Sequence, residues 1–185
     1  MSDTPDVEAT VSSKELSRRA WIALGVAEAA FGLFAVLGGI GALYASDAAD
    51  LQGWGDLGLV VIMLMTGVAS VLVAIPLAVH TVGRFTVRKT QGWPARRAGL
   101  AHLAVGLAFG SLSGAIIVAN DLASIPAALL AFVLPPGLAG LTANTLVPYA
   151  ARHRWLAVTA WALAAVPIGL SLYAVATVFI IGQAD

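Results

Sequence analysis

The sequence predicts an all-α membrane protein, a bundle of five transmembrane helices, and three observations carry that prediction. The first is composition: 59% of the 185 residues are hydrophobic and only 11% are charged. Soluble domains carry about 25% charged residues. The second is the occurrence of five long apolar stretches, 20–45, 57–82, 98–119, 122–147 and 155–181. Each exceeds the roughly 20 residues that cover a hydrocarbon core of about 30 Å. The third is the sorting of charge. All ten basic residues lie in three places: Lys14, Arg18 and Arg19 before the first stretch; Arg84, Arg88, Lys89, Arg96 and Arg97 between the second and third; Arg152 and Arg154 between the fourth and fifth. The other connections hold Asp47, Asp50, Asp56 and Asp121, with no Lys or Arg. The positive-inside rule then predicts a cytoplasmic N-terminus and an external C-terminus, in a multi-pass protein of the inner (cytoplasmic) membrane. Arginine outnumbers lysine eight to two in a chain rich in Ala, Val, Gly and Leu, a usage that suggests a GC-rich bacterial gene.

Residues 1–19 are polar, hold Asp3, Asp6, Glu8 and Glu15, and lack apolar periodicity, so they read as a disordered cytoplasmic tail. Ser12 and Glu15 have the spacing of a capping box for a short helical lead-in. The first stretch is too long for a signal peptide and has no A-x-A site at its end, so an uncleaved anchor is expected. Its face Gly25, Glu28, Gly32, Ala35 and Gly39 is small except for one carboxyl. On the second stretch Thr66, Ser70, Ala74 and Ala78 fall four apart.

The connection 81–97 is short and basic, and it reads as lying on anionic lipid of the inner leaflet. There each Lys or Arg contributes about 1 kcal/mol. Such charges are ordinary topology signals, so no nucleic-acid partner is expected. Trp21, Trp93, Tyr149 and Trp155 near the inner boundary, with Tyr44 and Trp54 near the outer one, have the placement of interfacial aromatic belts.

The third stretch carries the most regular pattern. Ala98, His102, Gly106, Gly110, Gly114 and Val118 recur every fourth residue and so share one helix face. Gly106, Gly110 and Gly114 form two overlapping GxxxG motifs, which let another backbone approach closely in lipid. The turn around Asn120-Asp121 is so short that the third and fourth helices must be antiparallel neighbours, with Asp121 or Ser124 capping the fourth ahead of Pro126. Pro135-Pro136 interrupts the fourth stretch, and a kink is expected there because proline removes a backbone donor. A re-entrant hairpin would place Arg152 and Arg154 outside and break the charge pattern, so a kinked full span is the reading. The fifth stretch has small residues at Ala165 and Gly169.

Few residues could carry chemistry. Glu28 is the only acidic residue well inside a span, and His102 the only histidine. His102 lies five residues beyond Arg97 and Glu28 nine beyond Arg19, so their depths differ by about 6 Å. Asn144, eight residues before Arg152, and Thr159, five after Arg154, fall in the same layer. Glu28, His102, Asn144 and Thr159 are therefore a candidate intramembrane polar site, in which Glu28 and His102 meet if the first and third helices pack together. The bland alternatives are a Glu28 carboxyl and a His102 imidazole that serve only to bond neighbouring helices. Further outward the spans offer hydroxyls, such as Thr66, Ser70 and Ser113, but no ionisable group, whereas proton and ion pathways usually run along Asp, Glu or His.

No HExxH, GxSxG or Walker loop occurs, and no span holds paired carboxylates at helical spacing or two histidines. The absence of cysteine excludes disulfides and thiolate sites. The chain therefore reads as non-enzymatic, with no metal or cofactor. The leading expectation is an accessory or assembly subunit that packs through small-residue faces, against itself or another membrane protein. The alternative is a small transporter or permease component using the polar layer around Glu28 and His102.

Overall fold

The computed structural model describes residues 13–45, 65–90, 92–119 and 123–181. Among these the regular structure is entirely helical, and five helices are long and apolar enough to cross a membrane. They are α1 (Ser13–Ala45), α2 (Met65–Lys89), α3 (Ala95–Ala119), α4 (Ile125–Arg152) and α5 (Arg154–Ile181).

Three boundaries differ from the sequence reading. Helix α1 begins at Ser13, so the short helical lead-in is continuous with the apolar span, which runs over Ser17–Ala42. The run Lys14-Glu15-Leu16 and Arg18-Arg19-Ala20 consists of good helix formers, with no Gly or Pro to stop it. Residues 1–12, including the Ser12 cap, lie outside the described residues, as do 57–64, Trp54 and Asp121. Helix α2 runs to Lys89 and α3 begins at Ala95, so most of the basic 81–97 connection is helix. Two features favour that extension. The Thr81 and Thr86 hydroxyls donate to the carbonyls of Leu77 (2.6 Å) and Val82 (2.8 Å) along the same helix. Arg88 and Lys89 occupy the last turn, where cations complement the helix dipole. The remaining turn pivots on Gly92, whose φ of 83° is a left-handed conformation suited to glycine. The fourth stretch extends to Arg152 as one helix of 28 residues, with no reversal of the chain.

At the start of α4, Ser124 is extended and its side chain accepts from Ala127 N–H, ahead of Pro126. The prolines farther along leave a specific mark. Residues Leu129–Val133 form a π turn, and Leu134 N–H bonds to the Leu129 carbonyl. The Leu130 carbonyl is thereby left without its usual i+4 donor, and its i+5 residue, Pro135, has no N–H. The Ala131 carbonyl faces prolines at both positions. Helix α2 repeats the device: Ser70–Ala74 is a π turn directly ahead of Pro76, and Ile75 N–H bonds to Ser70. At these two places the proline is accommodated by a wider turn on its N-terminal side, whereas Pro148 and Pro167 lie within regular α-helix.

Helices α1 and α4 form the centre of the bundle. Helix α3 packs on the far side of α4, α5 packs chiefly on α1, and α2 lies against the others with few contacts. The cores are small and local. Ala30 and Phe31 of α1 meet Val71 of α2 and Ala139 of α4, and Ile22 and Val26 pack with Ala150. Leu33, Val36 and Leu37 of α1, Leu112 and Ile116 of α3, and Leu163, Val166 and Leu170 of α5 are exposed. That outer surface suits hydrocarbon. For helices in lipid, burial has little hydrophobic drive and close van der Waals fit takes its place.

Candidate functional site

The glycine face of α3 is used within the chain. A Cβ on Gly106 would overlap the Pro136 carbonyl, and one on Gly110 would lie 2.6 Å from the Phe132 carbonyl and 2.7 Å from Val133 Cα. Phe132 is the residue whose i+4 donor Pro136 lacks. The glycines of α3 therefore sit on the part of α4 that the prolines have reshaped, where the two backbones approach too closely for a side chain. At Gly114 a Cβ would meet the Val133 side chain at 3.0 Å, with the Ala128 carbonyl at an ordinary 3.9 Å. From the other side Gly38 of α1 approaches the Leu130 carbonyl.

On its remaining side the bundle is open. Between α2 and the walls made by α1, α3 and α4 lies a cavity of about 980 Å3, at the upper end of the range for small-molecule sites. It reaches along α1 from Arg19 to Gly39, 20 residues or about 30 Å of helix. Arg19, Arg84, Arg88 and Arg152 line its basic end, and no carboxylate lines it among the described residues. His102 and Asn144 follow deeper in, and the walls beyond carry Phe31, Phe109 and Phe132, with Thr66, Ser70 and Ser113 as scattered hydroxyls.

The four residues of the predicted polar layer separate. His102 and Asn144 share the cavity wall, where α3 meets α4: Gly140 approaches the His102 carbonyl and Asn144 approaches Gly99. The His102 Nδ1–H donates to the Ala98 carbonyl of its own helix at 2.8 Å. Glu28 is absent from this wall. Gly25 and Gly32, three residues before and four after it on the same face, pack on Trp161 and Pro167 of α5. That face belongs to the α1–α5 contact, while α3 is held off by α4. Glu28 is 1% exposed, and its Oε2 has no hydrogen-bond partner among the described residues. Thr159 is exposed on α5, away from the cavity. Equal depth placed the four in one layer, but the arrangement of helices gives them different directions.

The cavity's arginines are the feature that the sequence reading missed, having taken them as topology signals. A signal was present: Arg84 and Arg88 are four apart and so share a helix face if α2 continues. Beside them, Arg18 donates to the Ala151 carbonyl at 2.6 Å. It thereby satisfies a carbonyl in the last turn of α4, which has no partner within the helix. Trp21 stacks edge-on with His80 (6.1 Å) and packs on Trp161 (6.0 Å), linking α1, α2 and α5 on the opposite flank. Among the described residues no three His, Asp or Glu side chains gather into a metal-binding group. No known protein family, characterised protein or solved structure gives a significant match to the chain.

Proposed function

We propose that this chain is a non-enzymatic, multi-pass protein of the inner membrane. Its N-terminus is cytoplasmic, its C-terminus is external and α4 is kinked at Pro135-Pro136. It holds a small apolar or amphiphilic molecule within the bundle, as a transporter or permease component would. The observation that carries this reading is the cavity itself. Its walls are small and aromatic, its polar groups are few, and its charges are confined to one end. Those are the traits of a site that selects an elongated, mainly apolar ligand. The distribution of Lys and Arg supports the orientation, and the lack of any catalytic motif supports a binding role.

The chain contains no cysteine, so single-cysteine variants give a direct test. In delipidated, detergent-solubilised protein, Ser70→Cys and Ser113→Cys should react readily with N-ethylmaleimide. Leu163→Cys and Leu170→Cys, on the outer surface of α5, should stay protected by the micelle. Equal protection at all four positions would remove the cavity as a binding site.

A second reading, an assembly subunit, is favoured by one specific observation. Thr66, Ser70, Ala74 and Ala78 of α2 line the cavity and none of them is fully buried among the described residues, so a small-residue face is available to another helix. A stoichiometric membrane protein retained through purification in mild detergent would support that reading.

A further inference from the structure

We propose that the cavity seats one anionic phospholipid of the cytoplasmic leaflet. Its phosphate is held among Arg84, Arg88 and Arg152, with Arg19 beside them, and its acyl chains lie along the apolar wall. This proposal rests on the cavity reading above and assigns its occupant. The first argument is charge complementarity. Four arginines line one end of a cavity that has no carboxylate in its described wall. Guanidinium groups present forked donors that match phosphate oxygens. Arg84 and Arg88 come from α2, Arg152 from the end of α4 and Arg19 from α1, so they approach the mouth from three helices.

The second argument is the order of groups with depth. Asn144 lies eight residues inside Arg152, about 12 Å along α4. Its amide can donate to an ester carbonyl, which in a phospholipid sits just below the phosphate. Beyond that level Ala27, Phe31, Phe109 and Phe132 present apolar wall. From Arg19 to Phe31 is 12 residues, or about 18 Å, close to the half-thickness of a hydrocarbon core of about 30 Å. Head, glycerol and tail each meet matching chemistry at the right depth. Access follows from α2, the least buried of the five helices, whose loose seating leaves the cavity reachable from the bilayer.

The alternative occupant is a helix of a partner protein. Transmembrane helices carry their Lys and Arg at the cytoplasmic flank, which would bring like charges against the four arginines. A lipid phosphate brings the opposite charge to the same place.

The test is native mass spectrometry of the full chain, delipidated and then titrated with phosphatidylglycerol or with phosphatidylcholine of identical acyl chains. The wild type should retain one phosphatidylglycerol per chain and bind phosphatidylcholine at least ten-fold more weakly. Arg84→Gln/Arg88→Gln should weaken phosphatidylglycerol binding about ten-fold by removing the head site. Ala78→Trp, which keeps every arginine and fills the cavity about 9 Å below Arg84, should do the same by excluding the tails. Asn144→Leu provides a second variant should Ala78→Trp fail to fold, with helical circular dichroism as the check. If Ala78→Trp, or in its place Asn144→Leu, which removes the donor to the ester carbonyl, binds phosphatidylglycerol as the wild type does, the lipid lies on the basic surface and the proposal fails. Equal binding of phosphatidylcholine also overturns it. Either failure, together with reactive thiols at Ser70→Cys and Ser113→Cys, leaves the cavity reading standing, whereas protected thiols remove both. A co-purifying membrane protein that phosphatidylglycerol cannot displace would replace the lipid with a partner helix.

Discussion

Replacing Gly110 by alanine adds one methyl group where α3 meets the backbone of α4. The new Cβ would lie 2.6 Å from the Phe132 carbonyl, and ordinary contact begins at 3.4 Å, so the two helices must part by 3.4 − 2.6 = 0.8 Å there. The obstacle is backbone, which no side-chain rotation can clear, and overpacking of this kind costs about 1–3 kcal/mol. Gly106→Ala should cost at least as much, because its Cβ would overlap the Pro136 carbonyl. Gly114→Ala should cost less, since it meets the Val133 side chain at 3.0 Å and that side chain can yield. Gly169→Ala is the control, with nothing within 4 Å. Any gain in helix propensity from alanine, up to about 1 kcal/mol, is shared by all four variants and cancels in the comparison. Reversible unfolding in mixed micelles, followed by circular dichroism, measures the differences. The expected order of loss is Gly106, then Gly110, then Gly114, with Gly169 least affected. If Gly110→Ala matched Gly169→Ala in stability, the close packing of α3 on the proline-widened turn of α4 would be wrong.

Glu28→Met keeps the length of the side chain and removes a buried oxygen that has no hydrogen-bond partner among the described residues. Such an unpaired polar group costs about 1–3 kcal/mol, so this variant should unfold at higher denaturant than the wild type. A loss of stability would instead reveal a partner bound to the carboxyl. Gly92→Ala meets no atom within 4 Å but must adopt a φ of 83°; it should lose about 1 kcal/mol in the same assay, and no loss would mean that the turn takes another shape. A phosphatase reporter that is active only when exported should be active when fused after Asp185, and an inactive fusion that is stably expressed would overturn the proposed orientation.

The number of helices was legible from residues alone because the requirement behind it is local. In hydrocarbon each backbone group must be bonded within its own segment, so every apolar run of sufficient length becomes a helix. Local chemistry also marked Ser124 as a cap, and it marked Pro135-Pro136 as a disturbance in α4. The glycine ladder of α3 announced a close approach, and the few residues between the third and fourth apolar stretches, around Asn120-Asp121, pointed to α4 as the neighbour. The direction in which each helix faces could not be read this way. An amphipathic helix in water declares its inner face by its apolar stripe, but these helices are apolar all round, and their order is set by surface fit. Glu28 and His102 share a depth that the sequence gives by counting residues, yet α4 stands between α1 and α3. The carboxyl consequently faces α5 and the imidazole faces the cavity. The same holds for Arg84 and Arg88: their charge was plain in the sequence. Only the continuation of α2 as a helix, lying loosely against its neighbours, brings them to the mouth of a cavity.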